Sequence, residues 1–220
     1  LGDQSTFNKK FDNMVSEGRI DAVIGSLGTR SEIRYGIKKH NPFCNNPLKY
    51  VSKVDLNKNY DFKNIFVNEA KRILKKEKIS TKSQGLLTNG HQTSGNLFHR
   101  KDDGIAKIKD IISFEIKKYL AYHKDSDEGI ITRWPDNYSL HGWLISMKSG
   151  GKLASHMHDN GWLSGSVYIN VPPKSEIDSG NLVVRIDNEE SEIKGTNQIK
   201  SIDVVTGSLC IFPSSLLHHT

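Results

Sequence analysis

Two histidines one residue apart, His156 and His158, stand in the string Ser155-His156-Met157-His158-Asp159-Asn160. On an extended strand side chains alternate, so both rings would face one side, about 7 Å apart after two rises of roughly 3.3 Å. A third candidate, His218, follows Phe212-Pro213-Ser214 and has His219 beside it. A pair on one strand and a single residue on a later strand can cage a metal in a β core, and imidazole suits iron, zinc, copper or nickel. A lone histidine is usually a surface or satisfied core residue. A close pair leading into a hairpin weighs about evenly between that and a ligand set.

The elements that must position these residues fall into two halves. Residues 7–40 read as helical, with Phe7, Phe11, Met14 and Val15 at spacings of three and four and a break at Gly18. Residues 41–47, Asn-Pro-Phe-Cys-Asn-Asn-Pro, form a turn-rich connector. A second helix fits 61–78, with Ile65, Phe66, Ala70, Ile73 and Leu74 on one face and Lys75, Lys76 and Lys78 closing it. Those lysines suit the negative end of the helix dipole. Residues 79–104 read as loop, and 105–122 as the clearest helix. After Asp125 the period changes to short β-rich runs over 138–147, 152–157, 162–171, 181–186, 201–205 and 208–212, punctuated by glycine and proline. This pattern predicts an α+β chain, helices first and then a jelly-roll or barrel-like core. The boundary falls near Pro47: residues 1–47 form a helical segment, the end of an upstream helical array, and 48–220 form the chemical domain.

Composition narrows the function classes. The 220 residues carry 31 Lys and Arg against 25 Asp and Glu, a net charge of +6, unevenly spread. Residues 1–125 hold 24 basic against 14 acidic side chains, while 126–220 hold 7 against 11. The lysines lie scattered on helical patterns rather than interleaved with exposed aromatics, which predicts a solvated face and not a nucleic-acid interface. No apolar run approaches 18 residues, so no membrane partner is expected. The two cysteines, Cys44 and Cys210, predict a reducing, cytoplasmic setting. The chain opens without Met and stops within an apolar stretch, so we expect it to be clipped at both ends. Trp143 and Trp162 read as core or pocket wall, and Cys210 as a small buried hydrophobe. No P-loop, dinucleotide fingerprint or CxxC cluster is present.

Read together, His156-x-His158-x-Asn160-x-x-Leu163-Ser164-Gly165-x-x-Tyr168-Ile169-x-Val171-Pro172, then Gly180-Asn181-Leu182, then Gly207-x-Leu209-x-x-Phe212-Pro213-Ser214-x-x-x-His218, resembles the Fe(II)/2-oxoglutarate oxygenase family with the motifs HxHxxxxLSGxxY and FPSxLxH. The upstream segment 90–98 is similar to that family's stretch before its long helix, so the resemblance covers about residues 85–220. It implies a double-stranded β-helix, Fe(II), 2-oxoglutarate as co-substrate and O₂. It also implies His156 as proximal ligand and His218 as distal ligand. Oxidative decarboxylation of the co-substrate would then drive oxidation of a substrate C–H bond.

Two departures qualify what the resemblance implies. The usual carboxylate ligand would come two residues after the first histidine, where this chain has His158. His158 is the favoured third ligand; Asp159 swinging in, or water at a two-histidine site, are the alternatives. A neutral third ligand leaves the metal one unit more positive, so the site leans harder on anionic 2-oxoglutarate. The basic residue that anchors the far carboxylate of the co-substrate is expected beyond Thr220. Ser164, Tyr168 and Ser214 are candidates for hydroxyl contacts to it, and each fits ordinary strand packing or turn chemistry equally well. The expected function is a non-haem dioxygenase hydroxylating a small molecule or a protein or peptide. A cupin-like metal-binding or sensory domain without catalysis is the alternative.

Overall fold

Why the helices start and stop where they do is visible in single residues. The structure, a computed structural model, describes residues 3–76, 85–187 and 198–220. Helix α1 (Gln4–Ser16) begins where the Asp3 carboxylate accepts from the Ser5 amide at 3.0 Å. Helix α2 (Ala22–Tyr35) begins where Asp21 Oδ1 accepts from the Ile24 amide at 2.8 Å, and stops at Gly36, whose φ of 67° is left-handed. The connector after α2 is organised from within. Buried Asn41 donates to the carbonyls of Gly25 and Cys44 and accepts from the amides of Phe43 and Cys44. A π-helical turn, Lys63–Val67, then runs into α3 (Asn68–Lys76). Lys78, which the sequence places at the end of this helix, lies outside the described residues.

The long helix α4 (Asp103–Tyr122) agrees with its apolar period and buries Ile105, Ile111, Ile116 and Tyr119. Each such aliphatic side chain contributes roughly 1.5–3 kcal/mol of transfer free energy. Its buried Glu115 accepts from Tyr60 at 2.7 Å and from Lys118 at 3.1 Å, and Tyr119 donates to the Tyr50 carbonyl at 2.9 Å. The short helix α5 (Gly129–Thr132) follows.

The strands are β1 (Ser52–Asp55), β2 (Leu87–Gln92), β3 (Ile145–Leu153), β4 (Leu163–Val167), β5 (Leu182–Arg185), β6 (Ile199–Ile202), β7 (Ser208–Pro213) and β8 (Leu217–His219). All their pairings are antiparallel, in sheets ordered β1-β7-β4, β2-β3 and β6-β5-β8. Alternation along β7 shows how they stack. Leu209 and Ile211 face the core that contains Phe43, Phe66, Ile116 and Ile130, whereas Cys210 and Phe212 face Leu182 and Val184 of β5 and Ile202 of β6. The first sheet therefore has helices on one face and the third sheet on the other. The backbone also ties the second sheet to the third: Leu153 and Thr220 exchange two hydrogen bonds, as do His156 and His218. The result is a mixed α and β architecture with antiparallel sheets, compatible with a 2-oxoglutarate oxygenase fold.

Two details differ from the sequence expectation. Strands β1 and β2 occupy stretches that carry no alternating signal, β2 inside a presumed loop. The runs at 138–147 and 152–157 are the two ends of one strand, β3, which starts at Ile145 and ends at Leu153. Its register jumps from Thr88↔Lys152 to Gly90↔Met147, so residues 148–151 bulge out around Gly150 at φ 72°. Helix α2 packs closely on the connector and the turn after β7: a Cβ on Gly25 would lie 2.5 Å from the Phe43 ring and 3.0 Å from Ser215. Arg34 adds a two-pronged ion pair to buried Asp187, at 2.7 and 3.0 Å.

Candidate metal centre

His156 reaches the centre as the last paired residue beyond β3, bonded across to His218 on β8 through both backbone bonds, at 2.8 and 3.1 Å. His158 arrives differently. It follows the paired stretch and leads into the turn closed by the Gly161 amide donating to the His158 carbonyl at 2.9 Å. The sequence reading set the two rings on one strand face about 7 Å apart; the turn instead brings their centroids to 5.1 Å. The other centroid distances are 4.2 Å between His156 and His218 and 5.1 Å between His158 and His218. One ring nitrogen from each of the three can be chosen so that all lie within 4.8 Å of one another, a spacing that could hold a metal ion.

The surroundings prepare the three rings for ligation. His156 Nδ1 lies 2.8 Å from the Ala154 carbonyl, which can accept and never donate, so this nitrogen carries the proton and Nε2 keeps its lone pair. His218 is 5% exposed and packs its ring 5.0 Å from that of Phe212. Its ring lies beside the Leu216 backbone. Burial pushes the His218 pKa down to about 3, with His156 and His158 reinforcing the fall, so the ring is a neutral base at physiological pH. The His158 pKa is also lowered, first by burial and then by His156, against an opposing pull from exposed Asp159. Neutral imidazoles are the form that binds metals. The residues therefore fit an ion such as Fe(II).

The hydroxyl candidates sit on the inner face of β4 and the turn after β7. Ser164 and Ser214 are both buried and hydrogen-bond each other at 2.8 Å. Ser214 backs onto the His158 turn: a Cβ on Gly161 would lie 2.6 Å from Ser214 Oγ and 3.3 Å from the His158 carbonyl. Tyr168 packs against the inter-sheet core, and burial raises its phenol pKa. The structure thus joins Ser164 to Ser214 and leaves Tyr168 further along, with its phenol toward Thr220.

Other residues sort by surroundings. Trp143, 36% exposed, tilts against His158 with centroids 5.6 Å apart and forms a wall of the centre. Trp162 instead belongs to the core, donating to the Ile130 carbonyl at 2.9 Å and meeting the Phe43 ring edge-on. Cys210 is fully buried, and burial raises its thiol pKa to about 11, which leaves it a poor nucleophile. The Ala154 carbonyl that holds His156 Nδ1 is a backbone group, which no residue type in the sequence signals. A cleft of about 450 Å³, lined by Arg19, Asp21, Asp159, Asn160 and Trp162 among others, borders the turn that carries His158. Among the described residues no helix is long and apolar enough to cross a membrane.

No curated protein matches the chain at a significant level. The segment 90–98, similar to the family by its motif, lies outside the stretch matched by a family model. That stretch nevertheless holds all three histidines, all three hydroxyl residues and every strand from β3 onward. Residues 141–220 match the family described as "Putative 2OG-Fe(II) oxygenase".

Proposed function

We propose that this chain carries a non-haem Fe(II)- and 2-oxoglutarate-dependent dioxygenase centre that hydroxylates a small-molecule or peptide substrate. The carrying observation is the convergence of His156, His158 and His218, with ligand atoms within 4.8 Å of one another, inside the stretch that matches the oxygenase family. In this reading the core is a double-stranded β-helix, and residues 48–220 form the oxygenase domain behind a helical segment at 1–47. The three imidazoles would hold the iron. Bound there, iron would supply activation of O₂ against a chelated 2-oxo acid. The chain's own contributions are more specific. The Ala154 carbonyl fixes the tautomer of His156. Phe212 and burial keep His218 dry and neutral. Trp143 walls the approach beside His158. Ser164 and Ser214, already paired, offer hydroxyls to the co-substrate from the inner face, with Tyr168 just past the end of β4.

An anaerobic titration with Fe(II) and then 2-oxoglutarate, followed by visible absorption, tests this. A charge-transfer band that needs both additions is the expected result. Bound metal without any band would mean that the fold serves as a cupin-like binding or sensory domain.

A further inference from the structure

A buried acceptor without a donor lies on the sheet that walls the metal centre. Gln92, the last residue of β2, is partly buried, and its Oε1 is shut off from solvent with no hydrogen-bond partner among the described residues. Such an oxygen has lost the bonds it would make in water, and native structures seldom leave one unanswered. Pairing with β3 fixes where Gln92 points. It stands opposite Ile145, and residues directly opposite in an antiparallel pair share one face of the sheet. The ladder runs one step further: the Thr93 amide donates to the Leu144 carbonyl at 3.0 Å, and the Leu144 amide to Thr93 Oγ1 at 3.0 Å. Leu144 packs on Ile73, Leu97 and Ile105, the side of α3 and α4. Alternation along the chain therefore turns Trp143, Ile145 and Met147, with Gln92, to the other side. There Trp143 meets the His158 ring, centroids 5.6 Å apart. This face is apolar and open. Trp143 and Met147 are 36% and 37% exposed, and Ile145 joins none of the three hydrophobic clusters of the described residues. An apolar wall with a placed polar group has the make-up of a ligand subsite.

We infer that Gln92 is a specificity-determining residue of the substrate site, and that the substrate lying along Trp143 presents an amide whose N–H donates to Gln92 Oε1. An amide answers a carboxamide at two points, giving an N–H to its oxygen and accepting from its NH₂. A charged ammonium also donates, but the wall of Trp143, Ile145 and Met147 penalises it. The amide belongs either to a peptide backbone or to a primary carboxamide; the chemistry at Gln92 is common to both. The inference rests on the reading of the neighbouring centre as an oxygenase site.

The test titrates the whole chain with N-propylpropanamide and with its isosteric ester, propyl propanoate, following tryptophan fluorescence. The amide is expected to bind about tenfold more tightly than the ester, the worth of one answered buried acceptor. In Gln92→Leu the amide should fall to the level of the ester, with the ester unchanged. Butanamide and dipropylcarbinol complete the set. Tighter binding of N-propylpropanamide than of butanamide identifies a backbone-type amide, and the reverse order a primary carboxamide. Equal affinity for amide and ester overturns the inference, because Oε1 then asks for no donor. So does dipropylcarbinol binding as tightly as the amide, since a hydroxyl would then suffice. Absence of saturable amide binding overturns it, as does a response of undiminished size in Trp143→Phe, which would place the amide elsewhere. The comparison on the unaltered chain decides the matter even where Gln92→Leu does not fold. The titration needs no metal, so its failure leaves the iron titration to decide the oxygenase reading by itself.

Discussion

The three histidines are unequal, and their inequality is testable. His218 is the most buried, and its pKa is lowered to about 3. Removing it should take away a ligand and the inner wall of the site at once. His218→Ala is expected to weaken Fe(II) binding by more than about a hundredfold, beyond the loss usual for an outer-shell partner. Calorimetric titration checks this, and near-unchanged affinity in a folded variant would remove His218 from the site. His158 sits on a turn beside Trp143, with more room to adjust. His158→Asp should still bind Fe(II) within about tenfold of the parent, because a carboxylate is an equally good iron ligand at that position. Complete loss of iron in the folded variant would count against His158 as the third ligand.

At the scale of elements, the sequence was legible wherever one physical signal dominated. Helix α4 declares itself through Ile105, Ile108, Ile112, Ile116 and Tyr119, and β7 through alternating residues whose two faces meet two different cores. Strand β2 hides because Asn89, at φ 49°, and Gly90 interrupt any alternation, and it forms by pairing with β3. The glycine pair at 150–151 reads as a turn between strands; tertiary pairing instead absorbs it as a bulge within β3. The same limit applied at the centre. The residue types of the histidine trio were visible, but His158 comes into place through a turn whose geometry depends on Gly161 fitting against Ser214. Another glycine carries the junction between the connector and α5. A Cβ on Gly129 would lie 1.9 Å from the Pro42 carbonyl oxygen, next to the Ile130 amide that donates to the Phe43 carbonyl at 2.6 Å. Neither backbone can yield without breaking that bond. Gly129→Ala should therefore cost about 3 kcal/mol, at the upper end of overpacking penalties, read from the urea midpoint. A midpoint equal to the parent's would mean that the connector moves aside freely.

For the molecule as a whole, the helices and the first sheet share a core that also encloses phenols, and this sets how the chain responds to base. Burial and the Glu115 carboxylate raise the Tyr60 pKa from 10.0 to about 12, and Tyr119, buried in the same layer, is pushed up further by burial. In the unfolded chain both ionise near 10. Between pH 10 and 12 the unfolded state has therefore released protons that the folded state still holds. Stability depends on pH through the protons bound unfolded minus those bound folded, so here the slope is negative. Stability is fully present below pH 10 and is lost as pH rises from there toward the folded values. Each retained proton contributes a slope of about 1.4 kcal/mol per pH unit. Urea unfolding across this range should show the decline, and Tyr60→Phe should make it shallower by about one proton's worth while leaving its onset in place. An unchanged slope in Tyr60→Phe would show that Tyr60 ionises in the folded protein as it does unfolded. The bond to Glu115 would then contribute little to holding the 52–67 segment against α4. The candidate metal centre packs on Phe212, on the opposite face of β7 from this layer, so iron affinity measured at neutral pH should be the same in the variant and the parent.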